Sequence, residues 1–305
     1  MRQIVYRSFG GPEVLELVQG DKPVPESHEV LVRVHAAGVN PPDWKLRRGP
    51  YPPRWNTLPI TPGFDVSGVV EAVGGYVGRF VPGDEVFGML NFPLRANAYA
   101  EYVVARPRQF ARKPARLSHV QAAALPMSGL TAWQGFEDSW DVRPGRRVLV
   151  HAAAGGVGHL VVQLAKLRGA YVIGTASAGK HDFVRRMGAD EVVDYRAVDF
   201  ASVVEPVDIV FDLAGGDYPE RSIPLVKEGG AYLGAANISD ETGARYTERG
   251  VRWRRFQVEP DHASLAELAE VLTPHVDRVF PLAEAAKAQE VMEAADFVGK
   301  LVLEV

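Results

Sequence analysis

The 305-residue chain contains no cysteine. That absence excludes disulfide bonds, thiolate-bound zinc and a cysteine nucleophile together. Also missing is any apolar run long enough to cross a bilayer. Met1-Arg2-Gln3 leads directly into a strand-like segment, not into the basic start and apolar stretch of a signal peptide. Neither charge dominates: 34 Lys and Arg stand against 38 Asp and Glu, a net charge of −4 that gives no global attraction to nucleic acid or anionic membrane. The expectation is a cytoplasmic globular protein with neither nucleic-acid nor membrane partners. What is present is ordinary for that class, 47% hydrophobic and 24% charged, in a chain long enough for two domains.

The most informative segment is 147–168. Val148-Leu149-Val150 is a short β-branched strand, and Leu160, Val161, Leu164 and Leu167 recur at helical spacing. Between them lies Ala153-Ala154-Gly155-Gly156-Val157-Gly158, a G-x-G-x-x-G pattern with Ala153 in the first glycine's place. In a dinucleotide site Gly155 lets the backbone approach a pyrophosphate, Gly158 lets helix and strand pack closely, and the helix N-terminus offers its N–H groups to phosphate. An ordinary strand–turn–helix is the alternative.

The next strand, Tyr171–Thr175, bears on cofactor choice. NAD sites place Asp or Glu at its end, but here Ser177 and Lys180 follow, and no carboxylate comes before Asp182. A hydroxyl and an ammonium would bind the 2′-phosphate of NADP, and Tyr195 at the end of the third strand could add a second hydroxyl. Ser177 and Lys180 could instead cap and flank the helix that starts near Lys180.

The pattern gives an α/β protein in parts. Residues 1–118 read as β-rich, with strand-like runs at Gln3–Arg7, Val14–Val18, Glu29–Ala36, Asp65–Val73, Asp84–Met89 and Ala98–Val104 separated by Gly and Pro clusters. Ser118-His119-Val120-Gln121 reads as a capping box opening a helix. Strands and helices alternate over residues 119–273, which predicts a Rossmann-type doubly wound parallel sheet ending in a possible edge strand, Trp253–Val258. Residues 274–305 hold a helix after Pro281 and a last strand at Leu301-Val302-Leu303, and return to the first domain.

Six motifs occur in order: Ala37-Gly38-Val39-Asn40-Pro41-Pro42-Asp43, Pro62-Gly63-Phe64-Asp65, Gly83-Asp84-Glu85-Val86, Leu125–Ala132, the glycine turn, and Gly299-Lys300-Leu301-Val302-Leu303. Together they resemble the zinc-independent quinone oxidoreductases of the medium-chain dehydrogenase/reductase superfamily, the group that includes zeta-crystallin. The resemblance implies a GroES-like catalytic domain beside the Rossmann domain, NADPH as cofactor and an active site in the cleft between domains. It also implies that Asn40 and Asp43 lie near the nicotinamide riboside, Asn40 being able to donate to the substrate oxygen. Thr131 matches a position near the cofactor phosphates. Ala214-Gly215-Gly216 and Gly234-Ala235-Ala236 should flank ribose and nicotinamide, and Lys300 touches the cofactor side unless it is a surface lysine.

Where zinc-dependent members carry a Cys and a His ligand, this chain has Asn40 and Phe64, which cannot replace thiolate and imidazole. The eight histidines (His28, His35, His119, His151, His159, His181, His262 and His275) show no ligand spacing, and His35 and His151 sit in strand-like, core contexts. No metal is expected. Without a strong Lewis acid, alcohol oxidation is disfavoured, whereas hydride addition to a conjugated carbonyl needs only a hydrogen-bond donor. Tyr51 is the candidate phenolic donor, or a loop aromatic packed between prolines. Trp44, Trp55, Phe64 and Phe92 would line a flat pocket or simply pack.

The resulting expectation is an NADPH-dependent reductase of a small quinone or α,β-unsaturated carbonyl, with Tyr51, Asn40 and Asp43 as catalytic candidates. It would be a homodimer paired through the 253–258 edge. Two alternatives stay open. The basic run Arg245, Arg249, Arg252, Arg254 and Arg255 is a solvated face, or it receives a coenzyme A or acyl-carrier thioester. The chain could also be a non-catalytic NADPH-binding regulator.

Overall fold

A computed structural model describes residues 1–49, 57–136, 141–235 and 238–305. The chain forms two compact units, Met1–Leu130 with Glu259–Val305, and Thr131–Val258. In chain order the elements are β1 (Arg2–Val5), β2 (Glu16–Gln19), β3 (Val30–Val39), α1 (Pro41–Arg48), β4 (Asp65–Val73), β5 (Glu85–Met89), β6 (Tyr102–Ala105), β7 (Phe110–Arg112), α2 (His119–Ala124) and α3 (Pro126–Phe136). Next come β8 (Arg147–Val150), α4 (Gly158–Leu167), β9 (Tyr171–Thr175), α5 (His181–Arg186), β10 (Glu191–Val193), α6 (Phe200–Val203) and β11 (Val207–Asp212). After these are α7 (Tyr218–Ser222), β12 (Val226–Gly234), α8 (Asp240–Glu248), β13 (Arg252–Arg255), α9 (His262–Val271), β14 (Val276–Pro281), α10 (Ala285–Ala294) and β15 (Lys300–Glu304).

The first unit is built around β3, whose β-branched residues suit a strand covered on both faces. Its main sheet has the order β14-β15-β3-β4-β5-β7, and β6 also pairs with β3. In β3, Gly38 stands opposite Val302 of β15 and Asp65 of β4. A Cβ there would lie 2.3 Å from Ala123 O, so glycine lets α2 close onto the sheet. β15 thus carries the C-terminal residues to the end of β3, beside Asn40. On another part of this unit, Ile4, Val39, Tyr99, Leu301 and Met292 share an apolar core.

The second unit is one parallel sheet of order β10-β9-β8-β11-β12-β13. Counted from β8 this is 3-2-1-4-5-6, the doubly wound order, with its reversal between β8 and β11. Leu149, Ile173, Val210, Phe200 and Tyr246 fill one face.

Several expectations change. The sequence boundaries at 118 and 273 are displaced because α2 packs on β3, β4 and β15, and α9 packs on β7, which attaches both helices to the first unit. The segment from Pro41 is a helix that the pattern did not reveal: two prolines in its first turn cost no hydrogen bond there. β7 and β14 are further strands that the pattern did not reveal. The edge strand β13 covers Arg252–Arg255, not Trp253–Val258. Among the described residues no strand pairs on its outer side, and no helix is long and apolar enough to cross a membrane.

Candidate active site

In the second unit the candidate cofactor residues lie at the carboxyl ends of the parallel strands. After β8, His151 N donates to Phe211 O at 3.0 Å and Ala153 N to Thr175 O at 3.1 Å, which pins the turn to both neighbouring strands. Ala152 takes a left-handed φ of 52°. A Cβ on Gly158 would stand 2.2 Å from Ala152 O, a clash with backbone that cannot yield. Gly174 on β9 explains the alanine in the first glycine's place: a Cβ on residue 174 would lie 2.8 Å from the Ala153 methyl. Ala154, Gly155, Gly156 and Val157 complete the turn before α4, whose ten residues present an N-terminus there.

Ser177 follows β9, half-buried and extended, and its side chain makes no cap bond to the 3₁₀ turn at residues 178–180. Of the two roles left open for it, side-chain capping is therefore not observed. Lys180 ends that turn, its N–H donating to Ser177 O at 2.8 Å. Tyr195, beyond β10, is 37% exposed and sets its ring edge-on to Tyr218. Thr131 is buried on α3.

Asp212 is a residue that sequence reasoning missed. It closes β11, fully buried, and Oδ1 accepts from Ala214 N at 2.8 Å and Gly215 N at 3.2 Å, while Oδ2 accepts from the Tyr232 hydroxyl at 2.5 Å. It shapes the turn in which Gly215 and Gly216 have φ of 68° and 63°. An Asp before two glycines at a strand end was the available signal. Gly234 ends β12, and Ala235 N donates to Asp212 O at 3.1 Å. Ala236 lies outside the described residues.

The first unit gathers a different kind of site, a buried set of charges. Asn40 caps α1, and Asp43 in the first turn accepts from Asn40 N at 2.8 Å through Oδ2, half of a capping box. The same oxygen accepts from the Tyr99 hydroxyl at 2.8 Å, while Oδ1 is buried without a partner. The Asn40 amide joins two charges: Nδ2 donates to Asp65 Oδ2 at 2.9 Å, and Oδ1 accepts from the Lys300 ammonium. Asn40, itself buried, is thereby held between Asp65 and Lys300. Lys300 also donates to Val39 O at 3.0 Å and is 1% exposed, which rules out the surface-lysine reading. Asp65 accepts from Met127 N with both oxygens.

Two carboxylates and one ammonium are buried together, so the cluster has an excess acid. Burial raises Asp43 to about 7, against the lowering by its two hydrogen bonds. Asp65 goes up to about 6, also by burial, with Lys300 holding it down. Burial pulls Lys300 below the usual lysine range. Arg47 is fully buried and reaches Gln289 Oε1 at 2.7 Å, Gly10 O and Glu293, locking α1 to α10. Asp65, Tyr99 and Arg47 had no assigned role in the sequence reading. Asp65 opens β4, whose middle is rich in valine, and an acid at the head of such a strand was the signal.

Beside this cluster opens a cleft of about 330 Å3, counting space open to solvent, lined by Tyr6, Asp43, Thr61, Phe64, Pro93 and Arg95 among others. Phe64 meets Phe92 edge-to-face at 5.0 Å. Trp44 does not join them. It packs on the core formed by Ile4, Ala285 and Met292, because α1 turns that face towards α10. Tyr51 and Trp55 lie outside the described residues.

The histidines hold one surprise. His35 and His119 stack at 4.4 Å, with His119 also bound to Ser67 Oγ at 2.8 Å and Glu85 at 3.1 Å. His151 is a core residue as expected, set between Thr175 Oγ1 (3.2 Å) and Ser222 Oγ (3.0 Å) and lowered to about 3 by burial. Among the described residues no group of three or more His, Asp or Glu is arranged to hold a metal. In the basic run, Arg245 pairs with Glu220, and Arg255 donates to Ile238 O at 3.0 Å.

Comparison with known proteins places this geometry. Residues 26–115 match the alcohol dehydrogenase GroES-like domain, and residues 187–303 match a family described as zinc-binding dehydrogenase. Human quinone oxidoreductase is 32% identical over 324 residues, spanning 99% of this chain and 97% of its own length. The 2-methylene-furan-3-one reductase of Solanum lycopersicum is 36% identical over 255 residues, 81% of this chain and 65% of that protein. The solved quinone oxidoreductase of Coxiella burnetii superposes with a TM-score of 0.94 at 38% identity, covering 100% of this chain and 99% of that one. A mycobacterial relative solved with NADPH gives 0.88 at 32%, covering both chains fully. The Rossmann strand order and the glycine turn account for a nicotinamide cofactor. The chain belongs to the zinc-independent quinone oxidoreductase branch of the medium-chain dehydrogenase/reductase superfamily.

Proposed function

We propose that this protein is an NADPH-dependent, metal-free reductase of quinones and α,β-unsaturated carbonyl compounds. The observation that carries the reading is the carboxyl edge of the parallel sheet. There the Gly155–Gly158 turn meets the N-terminus of α4, and β9 ends in Ser177 and Lys180 with no carboxylate between. The turn suits a pyrophosphate and the β9 end suits a 2′-phosphate, with Tyr195 beside it. Thr131, Ala154, Ala214, Gly215, Gly234 and Ala235 are the further residues assigned to the cofactor. When bound, the reduced nicotinamide supplies a hydride.

The remaining tasks fall to the chain itself. A conjugated acceptor spreads the incoming charge onto an oxygen, so a hydrogen-bond donor suffices where alcohol chemistry would need a Lewis acid. Asn40, tied to Asp65 and Lys300, holds the end of β3 rigid, and Tyr51 remains the candidate phenolic donor. In the basic run Arg245 and Arg255 have partners in the chain, which favours a solvated, ion-paired face over a thioester site. Pairing of two β13 edges into a homodimer is part of the same proposal; light scattering at micromolar concentration tests it, and a monomer mass rejects it.

The decisive experiment follows NADPH and NADH oxidation with a panel of quinones, enones, enals and enoyl-CoA esters. Turnover of quinones or enones with NADPH is expected. Oxidation confined to enoyl-CoA, or equal use of NADH, would reject the substrate or the cofactor part respectively.

A further inference from the structure

The cleft of the first unit carries a charge at its rim that no group of the chain neutralises. Residues 90–99 form one wall and are clamped to residues 62–64: Leu90 N donates to Phe64 O at 2.8 Å, Ala98 N to Gly63 O at 3.2 Å and Tyr99 N to Pro62 O at 3.0 Å. Within this clamp Asn91 and Asn97 take left-handed φ of 50° and 58°, a conformation that asparagine tolerates. Asn91 Oδ1 also accepts from Gln109 Nε2 at 2.8 Å, and Leu94 N donates to Asn91 O at 2.6 Å. The loop so held contributes Pro93, Leu94 and Arg95 to the cleft.

Arg95 is exposed, and among the described residues no acid pairs with its guanidinium and no acceptor holds it. Elsewhere in the same unit Arg2, Arg47, Arg48 and Arg112 each pair with a carboxylate. The other charged residue of the lining, Asp43, is buried and already accepts from Asn40 N and the Tyr99 hydroxyl. Ile60, Phe64, Pro93 and Leu94 make the wall largely apolar. Burial and Asp43 raise the Tyr6 phenol to about 12, and the Arg95 charge works against them, which sets that charge close to the buried side of the cleft. A guanidinium stays charged at any working pH, and its planar fork matches a carboxylate or sulfonate.

We propose that Arg95 is a specificity-determining residue, which selects conjugated ketones and quinones that carry an anionic substituent. The ring of such a compound lies on the apolar wall and its anion meets the guanidinium at the rim. This assignment rests on the reductase reading and narrows its substrate class.

The test compares 1,4-naphthoquinone with its 2-sulfonate as acceptors for the NADPH-loaded protein, which has no cysteine for either quinone to alkylate. Arg95→Met keeps an unbranched side chain and removes the charge; the residue is exposed, so the melting temperature should not move. The ratio of kcat/KM for the sulfonate to that for the parent quinone should fall about three- to tenfold, through the KM of the sulfonate, as for a partly solvated charged contact. Arg95→Lys should restore part of it. Raising the ionic strength from about 0.1 to about 1 M should lower the ratio in the wild type far more than in Arg95→Met. An unchanged ratio in Arg95→Met overturns the assignment and leaves the reductase reading intact. Calorimetric titration of the sulfonate reads binding without turnover. If Arg95→Met weakens that binding in a protein that oxidises no NADPH with any acceptor, the reductase reading is overturned and Arg95 stands as an anion-binding residue.

Discussion

The two units assemble their candidate residues by different physical means. In the second unit the work is done by backbone: a left-handed Ala152, a glycine at 158 that excludes any Cβ, and a turn shaped by Asp212. There His151, one of two buried histidines, is neutral and has hydroxyl partners at both ring nitrogens. The first unit instead buries Asp43, Asp65 and Lys300 around the Asn40 amide, with a single cation for two acids. A backbone site is cheap to hold and tolerant of pH. A buried charge cluster is costly, stays intact only while its members balance, and responds to protons. The contrast teaches where each unit is vulnerable.

The largest effect should come from unbalancing the cluster. Lys300→Met leaves the Asp65 carboxylate and the Asn40 amide oxygen without their cation, and removing one partner of a buried ionic group costs about 3–5 kcal/mol. Thermal unfolding would show a large drop in melting temperature. An unchanged melting temperature would mean that Lys300 contributes no net stability.

The corresponding break in the second unit is Gly158→Ala. The added methyl would press on Ala152 O at 2.2 Å, and overpacking of this kind costs about 1–3 kcal/mol. Because the strain falls in the turn, NADPH affinity should drop more than tenfold even where the protein stays folded. Fluorescence titration reads this directly, and retained affinity would show that the turn is not the phosphate site.

These two sites also differ in how much of each was visible in the sequence. The glycine turn is local: strand, turn and helix lie within 147–168, so their spacing alone carried the motif. The cluster is not local. Asp43, Asp65, Tyr99 and Lys300 come from α1, β4, the approach to β6 and β15, and only the pairing of β15 and β4 with β3 brings them together. The resemblance pointed to Asn40, Asp43 and Lys300, but nothing in their spacing revealed that Asn40 bridges Lys300 and Asp65. Tyr6 and Arg47 carried no signal at all, being an aromatic and a base in ordinary-looking segments. Domain boundaries were misplaced for the same reason, since α2 and α9 follow their packing partners and not their neighbours in the chain.

Within the second unit a milder change sharpens the cofactor assignment. Lys180→Ala removes a charge from the end of β9 and should weaken NADPH by about 1–3 kcal/mol, or roughly ten- to a hundredfold, with little effect on NADH. Paired titrations with the two cofactors test it. Equal losses for both would assign Lys180 to the turn and not to the 2′-phosphate.

The smallest effect is also the most direct comparison of the two units, because their buried groups respond to pH with opposite sign. Asp43 is raised from 3.8 to about 7, so the native state binds the proton more tightly than the unfolded chain. Its contribution is fully present below pH 3.8 and is lost as pH rises through about 7; Asp65, raised to about 6, acts in the same direction. His151 is lowered from 6.5 to about 3, so its contribution is present above pH 6.5 and is lost as pH falls through about 3. Between about pH 4 and 6 the slopes of Asp43 and Asp65 oppose that of His151, each about 1 kcal/mol per pH unit for one linked proton. Asp43→Asn removes one of the two acid slopes and leaves Asp65 to oppose His151, so the fall of stability with rising pH should flatten over that window. His151→Gln removes the opposing slope, so stability should fall more steeply with rising pH than in the unsubstituted protein. Denaturant melts of both variants at pH 4.5, 5.5 and 6.5 test the signs. Parallel pH profiles for the two variants would show that the acid cluster and the histidine are not the groups that set the response.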